Sequence, residues 1–200
     1  MRNVRVLFSG GRDSSLAALM LSNYFNVELV ACTFGILDNW KIAEEVAGLL
    51  GYPFRVVNLD RSFIENAVDE MIIDGHARGG ISKIHKNALE NIAMLPDSEM
   101  IADGCRREDK TPILSLGEIR SVEDRYHVEY IQPLGGFGRK TLDNLVDRYF
   151  EIEEVEGCFT LGPEYEYEIR ELIKQRYSEE DNNKLFPKFH THSRVKKVKP

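Results

Sequence analysis

The amino-acid sequence predicts an α/β fold: a doubly wound parallel sheet of five strands with a short C-terminal extension. Three observations predict it. Short apolar runs recur at 4–8, 27–33, 54–59, 100–102 and 128–134, with helix-period stretches between them. Strand and helix alternating at these lengths is the pattern of parallel, right-handed crossovers. The third observation is a polar, glycine-bearing turn, Ser9-Gly10-Gly11-Arg12-Asp13-Ser14-Ser15, between the first strand and the apolar helix pattern Leu16-Ala17-Ala18-Leu19-Met20-Leu21.

Val4-Arg5-Val6-Leu7-Phe8 reads as a buried first strand. In the turn after it, Gly10 and Gly11 let the backbone bend tightly and approach a ligand. Ser14 and Ser15 place hydroxyls beside the free N–H groups of the helix start, where the dipole favours an anion. The turn is a candidate phosphate cradle.

Val27 to Thr33 forms the second strand and ends at Phe34-Gly35. Asp38 or Asn39 can cap a helix with Ile42, Val46, Leu49 and Leu50 on its apolar face, stopped at Gly51. Phe54 to Leu59 is the third strand. Ser62 with Glu65 has the spacing of a capping box for a helix through Ile73, closed by Gly75. Residues 75–80 read as a linker, with a mobile lid as the other reading. Ser82 is the expected cap of a further helix carrying Ile84, Ala88, Leu89, Ile92 and Leu95 up to Pro96.

Met100-Ile101-Ala102 is the fourth strand and runs straight into Asp103-Gly104-Cys105-Arg106-Arg107-Glu108-Asp109-Lys110. In a parallel sheet this loop faces the first one, since ligands gather at the carboxyl ends of strands near the switch point. Ser115 and Glu118 suggest a second capping box and a helix to about Tyr126. After the fifth strand comes Gly135-Gly136-Phe137-Gly138-Arg139-Lys140-Thr141, then a helix from Leu142. From Glu151 the composition shifts. The acidic stretch 151–156 reads as solvated surface, and a helix through Tyr177 has Leu172 and Ile173 inward. Ser178 to Asn183 reads as a polar linker. The carboxylate-free segment from Phe186 to Lys197 is either a closing strand or a disordered basic tail, and its anchors Phe186, Phe189 and Val195 favour the strand.

With 200 residues, 42% of them hydrophobic, the chain can bury one sizeable α/β core. Charged residues make up 30%, and no apolar run approaches a membrane span. Cys32, Cys105 and Cys158 are too few for a disulfide framework and contain no Cys-x-x-Cys. The sequence begins on a strand with no signal peptide evident, so the chain reads as cytoplasmic. A net charge of -7 disfavours broad nucleic-acid binding but allows a local basic site. His190 and His192, two apart, read as a surface pair, with a metal site as the sharper alternative.

The first turn lacks the lysine of a Walker A motif and the spacing of a dinucleotide fingerprint. It resembles instead the Ser-Gly-Gly-x-Asp-Ser loop of the PP-loop (N-type) ATP pyrophosphatases. The resemblance covers residues 4–150 and is most specific in this motif. It implies a HUP, or adenine nucleotide alpha hydrolase-like, fold, with residues 1–150 as the PP-loop ATP-binding domain and 151–200 as a helical extension and basic tail. It further implies an adenylating enzyme that cleaves ATP to AMP and pyrophosphate. Ser9, Gly10, Gly11, Arg12, Asp13, Ser14 and Ser15 would grip the phosphates. Thr33 and Phe34, with Phe8, would lie near adenine. Gly104-Cys105 resembles the family's second loop, with cysteine in place of threonine. Arg139 and Lys140 resemble the basic residues that close the site, beside Arg106, Arg107 and Lys110 as further cations.

Asp13 and Asp109 are the candidate Mg²⁺ ligands, because an anionic carboxylate meets phosphate favourably only through a cation, with helix capping as the other role of Asp13. Asp13, Asp109, Arg139 and Lys140 are thus the expected catalytic set. The expected partners are ATP and an acceptor, a small molecule or a tRNA base, with a homodimer left open and no membrane. The alternatives are a tRNA-modifying member (thiolase-like or lysidine synthetase-like) using the basic tail as RNA contact, and a non-catalytic ATP- or AMP-binding module. The zinc-binding four-cysteine cluster of deazaguanine synthases is absent from the sequence.

Overall fold

The computed structural model describes residues 1–112, 114–156, 165–186 and 191–199. The expectations for Cys158, Phe189 and the His190–His192 pair fall outside the described residues and side chains.

Five strands, β1 (Asn3–Leu7), β2 (Asn26–Thr33), β3 (Phe54–Asn58), β4 (Met100–Ala102) and β5 (Glu129–Ile131), form one sheet in the order β3-β2-β1-β4-β5. Every pairing is parallel, with Val4 beside Val27 on one side and Met100 on the other. This is the doubly wound architecture expected from the sequence.

Side chains alternate along β1, which sends Val4 and Val6 into one core and Leu7 into the other. On the first face, α1 (Arg12–Ser22), α2 (Trp40–Leu50) and α6 (Arg139–Tyr149) bury Leu16, Val46 and Leu142. On the second, α3 (Arg61–Asp74), α4 (Arg78–Ala93), α5 (Leu116–Tyr126) and α7 (Tyr165–Arg176) bury Ile64, Ile84, Val122 and Ile169.

Local signals explain most helix ends. Gly51 and Gly75 end α2 and α3 in the left-handed conformation, and Ser115 with Glu118 makes a complete capping box for α5. Three expectations differ. Asp60, not Ser62, caps α3, accepting from the Ser62 amide. Residues 78–80 form the first turn of α4 rather than a linker, so Ser82 lies inside the helix. The reason is packing: a Cβ on Gly80 would come within 2.3 Å of the Met71 side chain, so glycine lets α3 and α4 touch. Ser178 to Asn183 is not a linker either, since Ser178 caps α8 (Glu179–Leu185).

The C-terminal segment is a strand. β6 (Phe150–Glu156) and β7 (Thr191–Val198) pair antiparallel, with Glu151 opposite Lys197 and Glu153 opposite Arg194. Each of these pairs is also an ion pair at 3.3 Å, so the acidic and basic stretches satisfy one another. Val195 is buried in the first-face core, and Arg194 bridges to Gly11 of the glycine turn. The basic tail is therefore the outer support of the glycine turn and not a free arm.

Candidate functional site

β1 and β4 lie side by side, yet the helices that follow them, α1 and α5, pack on opposite faces of the sheet. A crevice therefore opens beyond their carboxyl ends.

The glycine turn forms one wall. Gly10 has φ +76°, and a Cβ there would meet Ala43 and Val46 of α2 at 3.2–3.3 Å. Substitution of Gly10 thus disturbs the fold as well as any ligand. Gly11 is the N-cap of α1 and, being glycine, offers no side chain to its first N–H groups. The Ser9 and Ser14 hydroxyls lie 3.2 Å apart, and Ser14 Oγ donates to the Gly11 carbonyl. These two serines shape the turn from within. Ser15 is fully buried, and its Oγ has no hydrogen-bond partner among the described residues.

The loop after β4 closes onto this wall. A Cβ on Gly104 would lie 2.7 Å from Ser14 N and 2.9 Å from Asp13 C, so only glycine permits the approach. Two residues on, Arg106 contacts Asp13 at 3.5 Å and Asp109 at 2.6 Å. The two carboxylates expected to hold Mg²⁺ are indeed brought together, but around a guanidinium. Magnesium between them requires Arg106 to leave.

The third wall is the start of α6, three residues earlier than the sequence suggests. Its N-cap is again glycine, Gly138, and again no side chain caps it. Arg12 and Arg139 thus occupy the first positions of two uncapped helices, and they share Asp143 at 3.3 and 3.7 Å. Arg12, Arg106, Arg139, Glu108, Phe137 and Leu142 line a cleft of about 260 Å³. Sites for whole small molecules span roughly 300–1,000 Å³, so this one suits a phosphate chain rather than an entire nucleotide. A larger hollow of about 510 Å³ opens at the amino ends of the strands among four carboxylates, away from the switch point. Lys140 is exposed and does not line the cleft.

The place expected for adenine is filled. Thr33 and Phe34 are buried, and Glu168 of α7, with no exposure, caps the end of β2. Its carboxylate accepts from Thr33 Oγ1, Phe34 N and Ile36 N at 3.0 Å, and from Leu37 N at 3.4 Å. Successive backbone N–H groups of this kind form an anion-binding concavity, and the chain supplies the anion itself. Adenine at Thr33 and Phe34 would have to displace Glu168.

The model of a family described only as one of unknown function, DUF7411, matches residues 1–197. The chain belongs to DUF7411. An uncharacterised protein of Methanocaldococcus jannaschii, MJ0690, is 41% identical over 196 residues, covering 98% of this chain and 96% of its own length. A crystal structure from the same organism, described as a predicted subunit of tRNA methyltransferase, matches with a TM-score of 0.91 and 40% identity. That match covers 100% of this chain and 99% of the other.

In this DUF7411 chain Cys105, the cysteine of the second loop, turns its side chain towards α4. Its Sγ lies 3.7 Å from His85 Nε2, a residue that the sequence did not single out.

Burial pushes the Asp13 carboxyl above its ordinary range, against the pull of Arg106 and Arg12. Its Oδ1 is buried without a hydrogen-bond partner among the described residues. A raised folded-state pKa means stability is greatest below the unfolded value, near 3.9, and is lost as pH rises through the folded value. Asp13→Asn is therefore expected to raise the melting temperature at neutral pH, with the gain vanishing as pH falls below the ordinary aspartate range. Thermal melts of both proteins across pH check this; a variant less stable than wild type at pH 7 would contradict it.

Proposed function

We propose that this DUF7411 chain is a PP-loop protein that holds the phosphate chain of ATP in the cleft beyond β1 and β4 and uses the nucleotide to adenylate an acceptor in tRNA modification. One observation carries the reading: two uncapped, glycine-headed helix starts converge on one cleft, each with an arginine at its first position, beside Arg106. Uncapped N–H groups and guanidinium forks are the donors that phosphate oxygens need.

The residues present fit a polyphosphate. The first-turn N–H groups of α1 and α6 would hold it, with Arg12, Arg106 and Arg139 around it. Apart from Arg106–Asp109, these arginines contact carboxylates only at 3.3–3.7 Å, contacts that a bound anion can replace. Bound there, ATP would supply an activated adenylyl group, and the arginines would neutralise charge on the departing pyrophosphate. The description of the similar M. jannaschii structure as a predicted subunit of tRNA methyltransferase favours a tRNA base as acceptor. With β7 zipped to β6, any RNA contact is folded surface and not a free tail.

A non-catalytic nucleotide-binding subunit is the second reading, favoured by Arg106 standing where a cation would join Asp13 and Asp109. Turnover decides between them. ATP labelled at the α phosphate, with Mg²⁺ and unmodified tRNA, is expected to yield AMP and pyrophosphate, and Arg139→Ala should slow this roughly tenfold or more. Binding of ATP without any AMP would establish the second reading. Production of ADP would reject α–β cleavage.

A further inference from the structure

Three side chains of types that ligate metals meet beside the cleft without lining it. His85 lies on the buried face of α4, while Asp103 and Cys105 leave the end of β4. His85 Nε2 is 2.7 Å from Asp103 Oδ2 and 3.7 Å from Cys105 Sγ. One donor atom from each residue lies within 4.8 Å of the others. We propose that His85, Asp103 and Cys105 form a three-ligand zinc site.

The geometry is close to what zinc requires. Tetrahedral zinc, with bonds of about 2.05 Å to nitrogen and 2.3 Å to sulfur, sets those atoms about 3.6 Å apart. The Nε2–Sγ separation is already 3.7 Å. The same arithmetic sets nitrogen and carboxylate oxygen about 3.4 Å apart. Asp103 therefore gives up its 2.7 Å contact with His85 and swings outward by well under the length of a bond.

The arrangement is wrong for a Cys–His–Asp relay. In a relay the carboxylate orients one ring nitrogen so that the other can take the nucleophile's proton. Here Asp103 and Cys105 converge on the same nitrogen, Nε2, and Nδ1 faces the Tyr165 hydroxyl at 2.8 Å. A hydroxyl there can accept from Nδ1–H, the tautomer that turns the Nε2 lone pair to a metal once Asp103 moves off that nitrogen. Asp103 is supported in the same way: Tyr130 donates to Oδ2 at 2.5 Å and the Cys105 amide to Oδ1 at 2.9 Å. Gln132 in turn donates to the Tyr130 hydroxyl at 2.9 Å.

The donor set is one imidazole, one carboxylate and one thiolate, a mixture that suits zinc better than Mg²⁺ or Ca²⁺. Zinc takes sulfur as the thiolate. Binding then releases the thiol proton to solvent. Cys105 is the only one of the three that is not fully buried, and it is followed by Arg106 of the cleft wall. Three protein ligands leave a fourth position for water or a substrate atom.

The test uses cobalt(II) as a coloured probe of the full-length, metal-stripped chain, without ATP, so it stands or falls apart from the nucleotide reading. One equivalent of cobalt should saturate the protein, produce a thiolate-to-cobalt charge-transfer band, and be displaced by one equivalent of zinc. Cys105→Ser should lose the band while its circular dichroism is unchanged. Tyr130→Phe should keep the band but bind about 10–100-fold more weakly. Failure of the wild type to take up cobalt or zinc, or a band that survives Cys105→Ser, would overturn the proposal.

Discussion

Glu168→Ala is expected to destabilise the protein by about 3 kcal/mol, since each buried donor left without its acceptor costs about 1–3 kcal/mol. Four donors share that carboxylate: Thr33 Oγ1 and the amides of Phe34, Ile36 and Leu37. Water reaches some of them once the side chain is gone, so the full sum is not lost. For a chain of 200 residues, this corresponds to a fall of roughly 6–12 °C in melting temperature. Glu168→Gln keeps one acceptor oxygen and should fall in between. A melting temperature for Glu168→Ala within the error of wild type would show that α7 does not clamp the end of β2.

Gly104→Ala has the second large effect, and it reaches both stability and function. The added Cβ meets backbone atoms of Asp13 and Ser14 at 2.7–2.9 Å, and no rotamer change relieves a clash with backbone. Forcing the atom in costs about 1–3 kcal/mol, and it pushes the loop carrying Arg106 off the first turn of α1. ATP affinity should drop at least roughly tenfold, because 1.4 kcal/mol of misplacement already suffices for that. Gly136→Ala is the control, since a Cβ there meets nothing within 4 Å, and it should leave melting and binding unchanged. Wild-type melting and affinity in Gly104→Ala would contradict the close approach of the two loops.

Both effects arise at residues whose importance was unequally visible in the sequence. Parallel strands buried on both faces read as continuous apolar runs, so β1, β2 and β4 were legible, and so was the glycine turn between strand and helix. Gly104 could be placed opposite that turn because strand ends in a parallel sheet share one side. Glu168 could not be found this way. It is one of several glutamates between 164 and 171, and only the position of α7 against β2 makes it differ from its solvated neighbours. His85 carried a faint signal: it sits beside Ile84 and three residues before Ala88, a polar residue on an apolar helix face. Its meaning depends on Asp103, which only the sheet order brings near. The charge match between β6 and β7 is likewise invisible to a local window, because its partners are about forty residues apart. Read singly, one stretch was acidic surface and the other a basic segment whose apolar anchors favoured a strand but named no partner for it.

The most direct test of the phosphate-binding claim is a crystal structure of the wild-type chain with α,β-methylene-ATP, which cannot be cleaved between those phosphates. The account predicts the β and γ phosphates against the first-turn N–H groups of α1, with Arg12, Arg106 and Arg139 turned from their carboxylates onto the phosphate oxygens. Density for the nucleotide at another place, or a cleft with all three arginines still on Asp13, Asp109 and Asp143 at saturating nucleotide, would contradict it.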